Sequence, residues 1–346
     1  MESEKRRTDL SVLLLHNLDP SWEKAEIVSA VESVDKMKSA LRQEGHPVVN
    51  VPVRDTDLAG ILKSFKPEDH VVFNWCEELP GVPRSDVMVA QLLEKLKFAY
   101  TGSTAEVLSF SWDKAAVKTL LDKQCIATPR WQVFSCSKSC YWDCFPAIVK
   151  PVFEHCSYGI TTDAVALNSE ELMERIAFVQ DVFQQPALVE DFVDGREFHV
   201  TIWGNGTIEM LPPAEMDFSA FNNLKDRLCT FDSKFTPGSL HYEEIELRIP
   251  AVLDKHETLR LKQTAMQAYK VFGCRDYARI DLRLRDGVFY VLDINPNADI
   301  SPETSFAYAA EAAGLTYGIL GSRLVNFAAQ RHPLLAAESA QHPDFS

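Results

Sequence analysis

The sequence predicts an α/β protein that opens with a doubly wound parallel sheet. In about the first 110 residues, short apolar runs at 12–15, 46–52 and 71–74 alternate with helical periodicity at 27–43 and 86–96. Strands that alternate with helices indicate βαβ units and hence a parallel sheet. A chain of 346 residues, 46% of them hydrophobic, can bury a sizeable core in two or three domains.

The rest of the chain predicts two α+β subdomains. Strands are expected at 131–134, 147–150, 187–192 and 198–203, and helices at 112–124, 169–178, 254–272, 307–314 and 317–330, with Ser169 as an N-cap. Residues 218–242 are polar and irregular, which in a compact domain indicates a functional loop or disorder. We therefore divide the chain into an N-terminal domain (1–110), a central subdomain (111–199), a C-terminal subdomain (200–330) and a tail (331–346).

Composition narrows the functions that we expect of the chain. The net charge is −15, the pI is about 5.1, and no long run of Lys or Arg occurs, so no nucleic-acid partner is expected. No apolar stretch approaches the roughly 18 to 20 residues of a membrane-spanning helix. The short apolar run at 10–15 is followed by polar residues without a small-residue cleavage site, which argues against a signal peptide. We predict a cytoplasmic protein with no membrane partner.

The eight cysteines include one cluster, Cys136-x₃-Cys140-x₃-Cys144. This spacing lacks the C-x₂-C pairs that are typical of zinc sites. We interpret the cluster as a reduced loop, with metal binding as the minor alternative.

Two segments near the C-terminus carry the most chemical information. They are separated by Arg285-Asp286-Gly287, and Asp-Gly between alternating runs predicts a β-hairpin. Side chains alternate along a strand, so Arg279 shares a face with Asp281, and Asp293 shares a face with Asn295. If those two faces coincide, oxygen ligands suited to Mg²⁺ converge beside a cation. The alternative is an ordinary hairpin with a solvated polar face.

Two lysines and a small loop are candidates for phosphate binding. Lys114 begins a predicted helix, and Lys150 ends an apolar strand, where a charged group needs a partner. The segment from Ser157 to Gly159 offers a hydroxyl and backbone N–H groups that could cradle phosphate oxygens. A solvated turn is the alternative for that loop.

Two acidic residues are candidates for nucleoside binding. Glu190 lies on an apolar strand that turns acidic, and Glu197 follows after an Asp-Gly pair. Strand-edge backbone groups can hydrogen-bond an adenine edge, and a carboxylate can accept ribose hydroxyls. A β-hairpin with exposed acids explains the same residues equally well.

The order of these motifs resembles the ATP-grasp superfamily and, within it, the D-alanine–D-alanine ligase family. The similarity spans about residues 10–330. Its residues are Lys114, Lys150-Pro151, Ser157-x-Gly159, Glu190, Gly195-Arg196-Glu197, Arg279-x-Asp281 and Asp293-x-Asn295, with Tyr100-Thr101-Gly102-Ser103, Asp113 and Thr128-Pro129 matching the run "YTGS…DK…TP" of the family. The resemblance implies an ATP-grasp fold, in which the two α+β subdomains clasp ATP.

The resemblance also implies an ATP-dependent carboxylate–amine ligase that works through an acylphosphate, with amino acid or amine substrates. Mg²⁺ or Mn²⁺ would assist the phosphoryl transfer. By resemblance, phosphates would bind Lys114 and Lys150, adenine would meet Glu190, Asp191, Phe192 and Val193, ribose would meet Glu197, and the metal would bind Asp281, Asp293 and Asn295. Arg279 would stabilise the oxyanion of the tetrahedral intermediate. The family usually has Glu at the position of Asp293, and the resemblance suggests a homodimer.

A mobile loop of the family falls at residues 230–235. Lys234 would cover the γ-phosphate and exclude water from the acylphosphate. Phe235 stands where the family has a Tyr, whose partners correspond to Ser157 and Glu26. Glu26 would also bind the ammonium group of the first amino acid; the alternative is an exposed charge on a helix.

Three departures from the family concern the substrates. The family's Gly-rich N-terminal loop is here 16–22 and lacks glycine, and its His-Gly segment is here 74–78, with Glu77 and Glu78. Asp299 stands at a family glycine, and Thr304 or Ser305 stands at the serine that grips the acceptor's carboxylate. Since Asp299 would repel a carboxylate, the acceptor could be an amine that lacks one there, or a larger amino compound.

These observations leave several functions open. D-alanyl-D-alanine synthesis is the default activity, followed by the same mechanism with another acceptor in secondary metabolism. A nucleotide-binding protein without ligase activity, and a kinase that stops at the acylphosphate, are the remaining alternatives.

Overall fold

The computed structural model describes residues 10–137 and 141–333. Its first sheet is entirely parallel, with strand order β2-β1-β3-β4. The strands are β1 (Ser11–Asn17), β2 (Val48–Val53), β3 (His70–Trp75) and β4 (Ala99–Tyr100). The predicted parallel sheet is confirmed, and the apolar runs that predicted it form its buried strands.

Helices cover this sheet on both faces. They include α1 (Lys24–Gln43), α2 (Leu58–Leu62), α3 (Asp86–Lys95) and α4 (Ala105–Ser111). The helix predicted at 112–124 is wrong at its start, because the chain breaks between α4 and α5 (Lys114–Lys123). Asp113 caps α5 by accepting a hydrogen bond from the backbone N–H of Ala116, which places Lys114 at the first helical position.

The second sheet has four antiparallel strands in the order β5-β8-β6-β7. They are β5 (Trp131–Phe134), β6 (Ala147–Pro151), β7 (Val165–Ala166) and β8 (Ala187–Asp191), and α6 (Ser169–Phe183) packs against them. The cap of α6 is Asn168, whose side chain accepts from the N–H of Glu171, so the prediction of Ser169 as cap is wrong by one residue. In the cysteine loop, Cys136 is exposed and Cys144 is half-buried, while Cys140 lies outside the described residues.

The third sheet has six strands, with order β12-β11-β9-β13-β14 and β10 paired to β9. They are β9 (Arg196–Trp203), β10 (Glu209–Met210), β11 (Ala214–Asp217), β12 (Glu246–Arg248), β13 (Tyr277–Arg285) and β14 (Val288–Asn295). Helix α9 (Lys255–Phe272) and helix α5 share one apolar core with this sheet. The irregular segment 218–242 contains the short helix α7 (Asp232–Phe235) and the start of α8 (Leu240–Glu244).

The predicted Asp-Gly hairpin is confirmed. Strands β13 and β14 pair antiparallel, and Asp286 and Gly287 between them both have positive φ, at 51° and 75°. Two consecutive positive φ angles are the geometry of the type I′ turn that Asp-Gly favours.

Strands β8 and β9 lie in different sheets, so the alternative of an exposed hairpin over 187–203 is wrong. Gly195 allows the crossing between the sheets, because a Cβ there would lie 2.0 Å from the carbonyl oxygen of Leu284. The chain thus carries Glu190 and Glu197 into two facing sheets within one short connection.

The C-terminal helices α10 (Ser305–Ala312) and α11 (Tyr317–Ala329) return to the first sheet and share an apolar core with β1, β3 and α1. Asp276, fully buried, ties this junction together by accepting hydrogen bonds from the N–H of Gly102 at 2.8 Å and from Arg331 at 2.6 Å. Among the described residues, no helix combines the length and the apolar character that crossing a membrane requires.

Candidate active site

The hairpin β13–β14 brings the predicted metal ligands together. Its register places Arg279 opposite Asn295 and Asp281 opposite Asp293, so the two polar faces coincide. Arg279 donates from Nε to Oδ1 of Asp281 at 2.7 Å, and Nδ2 of Asn295 lies 3.0 Å from Oδ2 of Asp281. The solvated-face alternative is wrong, because the side chains of Arg279 and Asp281 are only 16% and 14% exposed.

Asp293 lies in a strongly cationic environment. Its Oδ2 is 3.8 Å from Nζ of Lys114, the lysine that begins α5. Burial raises the pKa of Asp293, but Lys114, then His155, Lys150 and Lys118, outweigh it and lower the pKa to about 2. The group therefore stays an anion at every ordinary pH.

The donor set fits a hard divalent cation. Asp281, Asp293 and Asn295 offer oxygens from two adjacent strands, and none offers sulfur or an imidazole nitrogen. Such ligands suit Mg²⁺ or Mn²⁺. Arg279 now neutralises Asp281, which is the role that a cation would share.

Glu190 is paired with two cations. Its fully buried carboxylate lies between two ammonium groups, those of Lys118 and Lys150. Burial raises the pKa of Glu190, but Lys118 and Lys150 outweigh it, so the pKa lies below its usual range. The carboxylate thereby holds Lys150 in place.

A β-bulge supports Lys118, which the sequence analysis missed. The register of the hairpin shifts after Asp281, so that Leu292 has no opposite residue. The carbonyls of Val291 and Leu292 accept hydrogen bonds from Nζ of Lys118 at 3.2 and 3.0 Å, and Thr128 accepts a third at 2.8 Å. The bulge thus links the hairpin, through Lys118 of α5, to Glu190 of the second sheet.

The predicted adenine-binding backbone is mostly engaged within the protein. The N–H groups of Asp191 and Phe192 donate to the carbonyls of Arg130 and Pro146, and the Asp191 carboxylate pairs with Arg285. The carbonyl of Val193 accepts from Arg283. The N–H of Val193 has no hydrogen bond within residues 10–137 and 141–333, so it is the one of these N–H groups left for a ligand.

Glu197 lies on β9, facing the hairpin. Its Oε2 accepts from Nε of Arg283 at 2.7 Å, and its Oε1 is 3.6 Å from Nε2 of His199. Burial raises the pKa of Glu197, but Arg283 and His199 lower it far below its usual range. A buried, oriented carboxylate at this place is suited to accept hydroxyl hydrogens.

Comparison with known proteins decides the family. The model of the D-ala D-ala ligase C-terminus matches residues 120–326, which is more than half of the chain. The chain belongs to the D-alanine–D-alanine ligase family. This result confirms the predicted resemblance and the predicted ligase class.

Relatives and solved structures agree with this assignment. A D-alanine–D-alanine ligase of Pseudothermotoga lettingae is 26% identical over 303 residues, covering 86% of this chain and 94% of its own. The uncharacterized protein y4sG of Sinorhizobium fredii is 29% identical over 306 residues, covering 86% of this chain and 88% of its own. The crystal structure of the D-alanine–D-alanine ligase from Bacillus anthracis complexed with ATP has a TM-score of 0.73 at 19% identity, over 95% of this chain and 99% of that one. The predicted ATP-grasp fold is confirmed.

The mobile-loop residues that the family pattern predicts are not all in contact here. Lys234 is exposed on α7, and its ammonium has no ion pair within the described chain. Ser157 donates to the carbonyl of Cys229 at 3.1 Å, and not to Glu26. Glu26 is exposed, and its Oε2 accepts from the N–H of Glu23 at 2.8 Å as part of a capping box.

The residues predicted to lie near the acceptor are acidic. Glu77, which follows β3, and Asp299, which follows β14, are both exposed to solvent. Although the side chain of Glu77 reaches solvent, desolvation by the surrounding protein, and then the charges of Asp299, Glu78 and Asp86, raise its pKa to about 7. Glu77 and Asp299 therefore lie close enough to repel each other.

Thr304 and Ser305 lie at the start of α10. The hydroxyl oxygen of Thr304 accepts from the N–H of Ala307 as the N-cap, and Ser305 is the first helical residue. Asp299 accepts from the N–H and the hydroxyl of Ser301, which fixes the turn before that helix. The loop is thus ordered with its carboxylate facing solvent.

Lys118 and Arg283 were not predicted from the sequence, although the pattern around each residue indicates a buried cation. Lys118 lies among the buried residues of α5, next to Val117 and Leu121, and a charged residue on an apolar face requires a buried partner. Arg283 continues the alternation of Arg279 and Asp281 along β13, and so shares their face near Glu197.

Proposed function

We propose that this protein is an ATP-dependent carboxylate–amine ligase of the D-alanine–D-alanine ligase type. The observation that carries the proposal is the register of β13 and β14, which sets Asp281 opposite Asp293, with Lys114 3.8 Å from the latter. A phosphoryl group needs such an arrangement of cations and metal-binding oxygens around it. The N-terminal, central and C-terminal units predicted from the sequence would form the cleft.

The residues of the chain divide the work of phosphoryl transfer. Lys114 and Lys150 bind ATP phosphates, Glu197 accepts the ribose hydroxyls, and the N–H of Val193 donates to adenine. Mg²⁺, held by Asp281, Asp293 and Asn295, supplies neutralisation of the charge on the transferring phosphoryl group. This division follows the family pattern and the local charges described above.

The reaction then requires an acylphosphate and an amine. The substrate carboxylate attacks the γ-phosphorus and ADP leaves; the acceptor amine attacks the acyl carbon and phosphate leaves. Arg279 holds the developing oxyanion, and Lys234 covers the phosphates so that water cannot hydrolyse the intermediate. Glu26 would bind the donor's ammonium after it exchanges its contact with the N–H of Glu23.

A second candidate concerns the acceptor. D-Alanine is the default for both substrates, but Glu77 and Asp299 would repel an acceptor carboxylate bound near Thr304 and Ser305. The raised pKa of Glu77 supports this reading, because after desolvation the neighbouring negative charge of Asp299 is its next largest cause. An acceptor with an additional amine, and with no carboxylate at that position, satisfies the site better.

The test is phosphate release from Mg-ATP across D- and L-amino acids and diamines, singly and in pairs, with mass spectrometry of the products. D-Alanine-dependent release with the dipeptide as product supports the default. Release only with a diamine supports the second candidate, and ADP formation without any amine would contradict a ligase. We also propose a cytoplasmic homodimer, which sedimentation and fractionation can check.

A further inference from the structure

Three side chains that bind transition metals converge beside Glu197. Glu197 and His199 are two residues apart on β9 and share a face, and Cys229 approaches from the loop before α7. One ligand atom from each lies within 4.8 Å of those of the other two. Glu197 and His199 are buried and Cys229 is half-buried, so the cluster is enclosed by protein.

We propose that Glu197, His199 and Cys229 form a binding site for a borderline-soft divalent cation of the Zn²⁺ class. Thiolate, imidazole and carboxylate are the donors that Zn²⁺ prefers, whereas the Mg²⁺ ligands on β13 and β14 are all oxygen. Bonds of about 2.0 to 2.3 Å place the ligand atoms of a tetrahedral site roughly 3.3 to 3.8 Å apart. Nε2 of His199 is already 3.6 Å from Oε1 of Glu197, which lies within that range, and the thiol of Cys229 is within 4.8 Å of a ligand atom of each.

Neighbouring contacts orient the ligands for such an ion. Arg283 engages Oε2 of Glu197, which leaves Oε1 directed at His199. Ser157 holds the carbonyl of Cys229 at 3.1 Å and so fixes the loop that carries the thiol. Contacts of this kind, one shell beyond the metal, commonly orient ligands.

A fourth ligand, a carboxylate oxygen, lies near the same three side chains. Oδ1 of Asp281 lies 4.0 Å from Nε2 of His199, on the neighbouring strand β13. On binding, the thiol of Cys229 releases its proton to solvent, and no oxidant or reductant is needed. The site would therefore share Glu197 with the proposed ribose contact and Asp281 with the proposed Mg²⁺ site.

This overlap has a functional consequence, which rests on the proposed function. Zn²⁺ bound here occupies Glu197 and places two positive charges beside Asp281. The ion and Mg-ATP should therefore exclude each other, and the site would make the ligase sensitive to free Zn²⁺.

The first experiment uses Co²⁺ as a spectroscopic probe of the metal-free protein. We expect a thiolate-to-Co²⁺ charge-transfer band in the near ultraviolet that saturates at one equivalent. The band should vanish in Cys229→Ser and persist in the matched control Cys125→Ser, which removes an exposed cysteine. Absence of the band in the wild type, or its persistence in Cys229→Ser, overturns the proposal.

A second measurement needs no variant, and so holds even if Cys229→Ser does not fold. X-ray absorption of the wild-type protein with one equivalent of Zn²⁺ should show one sulfur neighbour at about 2.3 Å. A shell of nitrogen and oxygen alone overturns the site.

The overlap is tested by nucleotide affinity. Zn²⁺-loaded wild-type protein should bind Mg-ATP at least about tenfold more weakly than the metal-free protein, while Cys229→Ser treated with Zn²⁺ should show no loss. Equal affinities would overturn the exclusion. If the metal-free protein fails to bind Mg-ATP, the proposed function falls, while the Co²⁺ result still decides the metal site.

Discussion

The proposed nucleotide side and the proposed acceptor side differ in how their acidic residues are neutralised. On the nucleotide side, Glu190 lies between Lys118 and Lys150, and Asp281 is paired with Arg279. On the acceptor side, Glu77 and Asp299 face each other's charge without a cation among the described ion pairs. The acids of the proposed nucleotide side are thus neutralised within the protein, whereas the proposed acceptor side keeps a negative charge that a cationic substrate would neutralise.

Removal of a metal ligand tests the nucleotide side most severely. Asp293→Ala and Asn295→Ala should each lower kcat by on the order of a thousandfold, since the metal contributes several kcal/mol of charge stabilisation. Circular dichroism should show an intact fold, and Asp286→Asn in the exposed turn of the same hairpin serves as the control. Normal turnover in both alanine variants would refute the metal assignment.

The next test concerns the buried charges that organise the phosphate lysines. Glu190→Gln leaves two ammonium groups without their anion and should destabilise the fold by about 3 kcal/mol, as measured by denaturant unfolding. Glu215→Gln, which breaks a pair with the partly exposed Arg196, should cost less than about 1 kcal/mol.

The same pair predicts a dependence on pH. The folded pKa of Glu190 is depressed, so its contribution is present above the unfolded pKa and is lost as the pH falls through the folded value. The stability difference between wild type and Glu190→Gln should therefore shrink in acid. A difference that is constant with pH would show that the carboxylate does not act through its charge.

The loop residue Lys234 tests closure over the phosphates. Lys234→Ala should lower kcat about a hundredfold and change the KM for ATP much less, because the contact forms only in the closed state. Lys225→Ala removes a lysine of the same segment that is paired with Glu171, and it should have little effect on either constant. A rise in KM for ATP with kcat unchanged, so that kcat/KM falls by the same factor, would contradict a role in closure.

The smallest effect is expected on the acceptor side. Asp299→Asn should weaken a cationic acceptor about tenfold, equivalent to about 1.4 kcal/mol, and should improve D-alanine as an acceptor. Glu303→Gln, an exposed acid of the same loop, is the matched control. If Asp299→Asn leaves the ratio of the two acceptors unchanged, the acidic surface does not select the substrate.

Asp299→Asn should also shift the pH profile. Glu77 has a pKa of about 7, so a cationic acceptor loses its attraction to Glu77 as the pH falls below that value. Removing the negative charge of Asp299 lowers the pKa of Glu77 and moves the acid limb of kcat/KM to lower pH. If the acid limb of the kcat/KM profile does not shift, Glu77 does not take part in acceptor binding.

The contrast between local and distant signals explains what the sequence could predict. The alternation of Arg279 and Asp281, together with the Asp-Gly turn, is local, and it predicted the hairpin and its shared polar face correctly. The environment of Glu190 depends on Lys118 in a different element, and no pattern near Glu190 reveals it. The break before α5 was missed because the helical periodicity continues across Trp112, although Asp113 was available as a cap.

Asp276 has a consequence for how the molecule can move. It joins Gly102, in the loop after β4, to Arg331, which follows α11, and the backbone N–H of Ser103 donates to Oδ1 of Asn297 at 2.8 Å. The loop that carries Asp299 is therefore fastened to the first sheet as well as to β14. We expect the first and third sheets to move as one rigid unit, so that the cleft opens and closes by motion of the second sheet (β5-β8-β6-β7) alone. An acceptor bound to the rigid unit would then stay in place while nucleotides exchange.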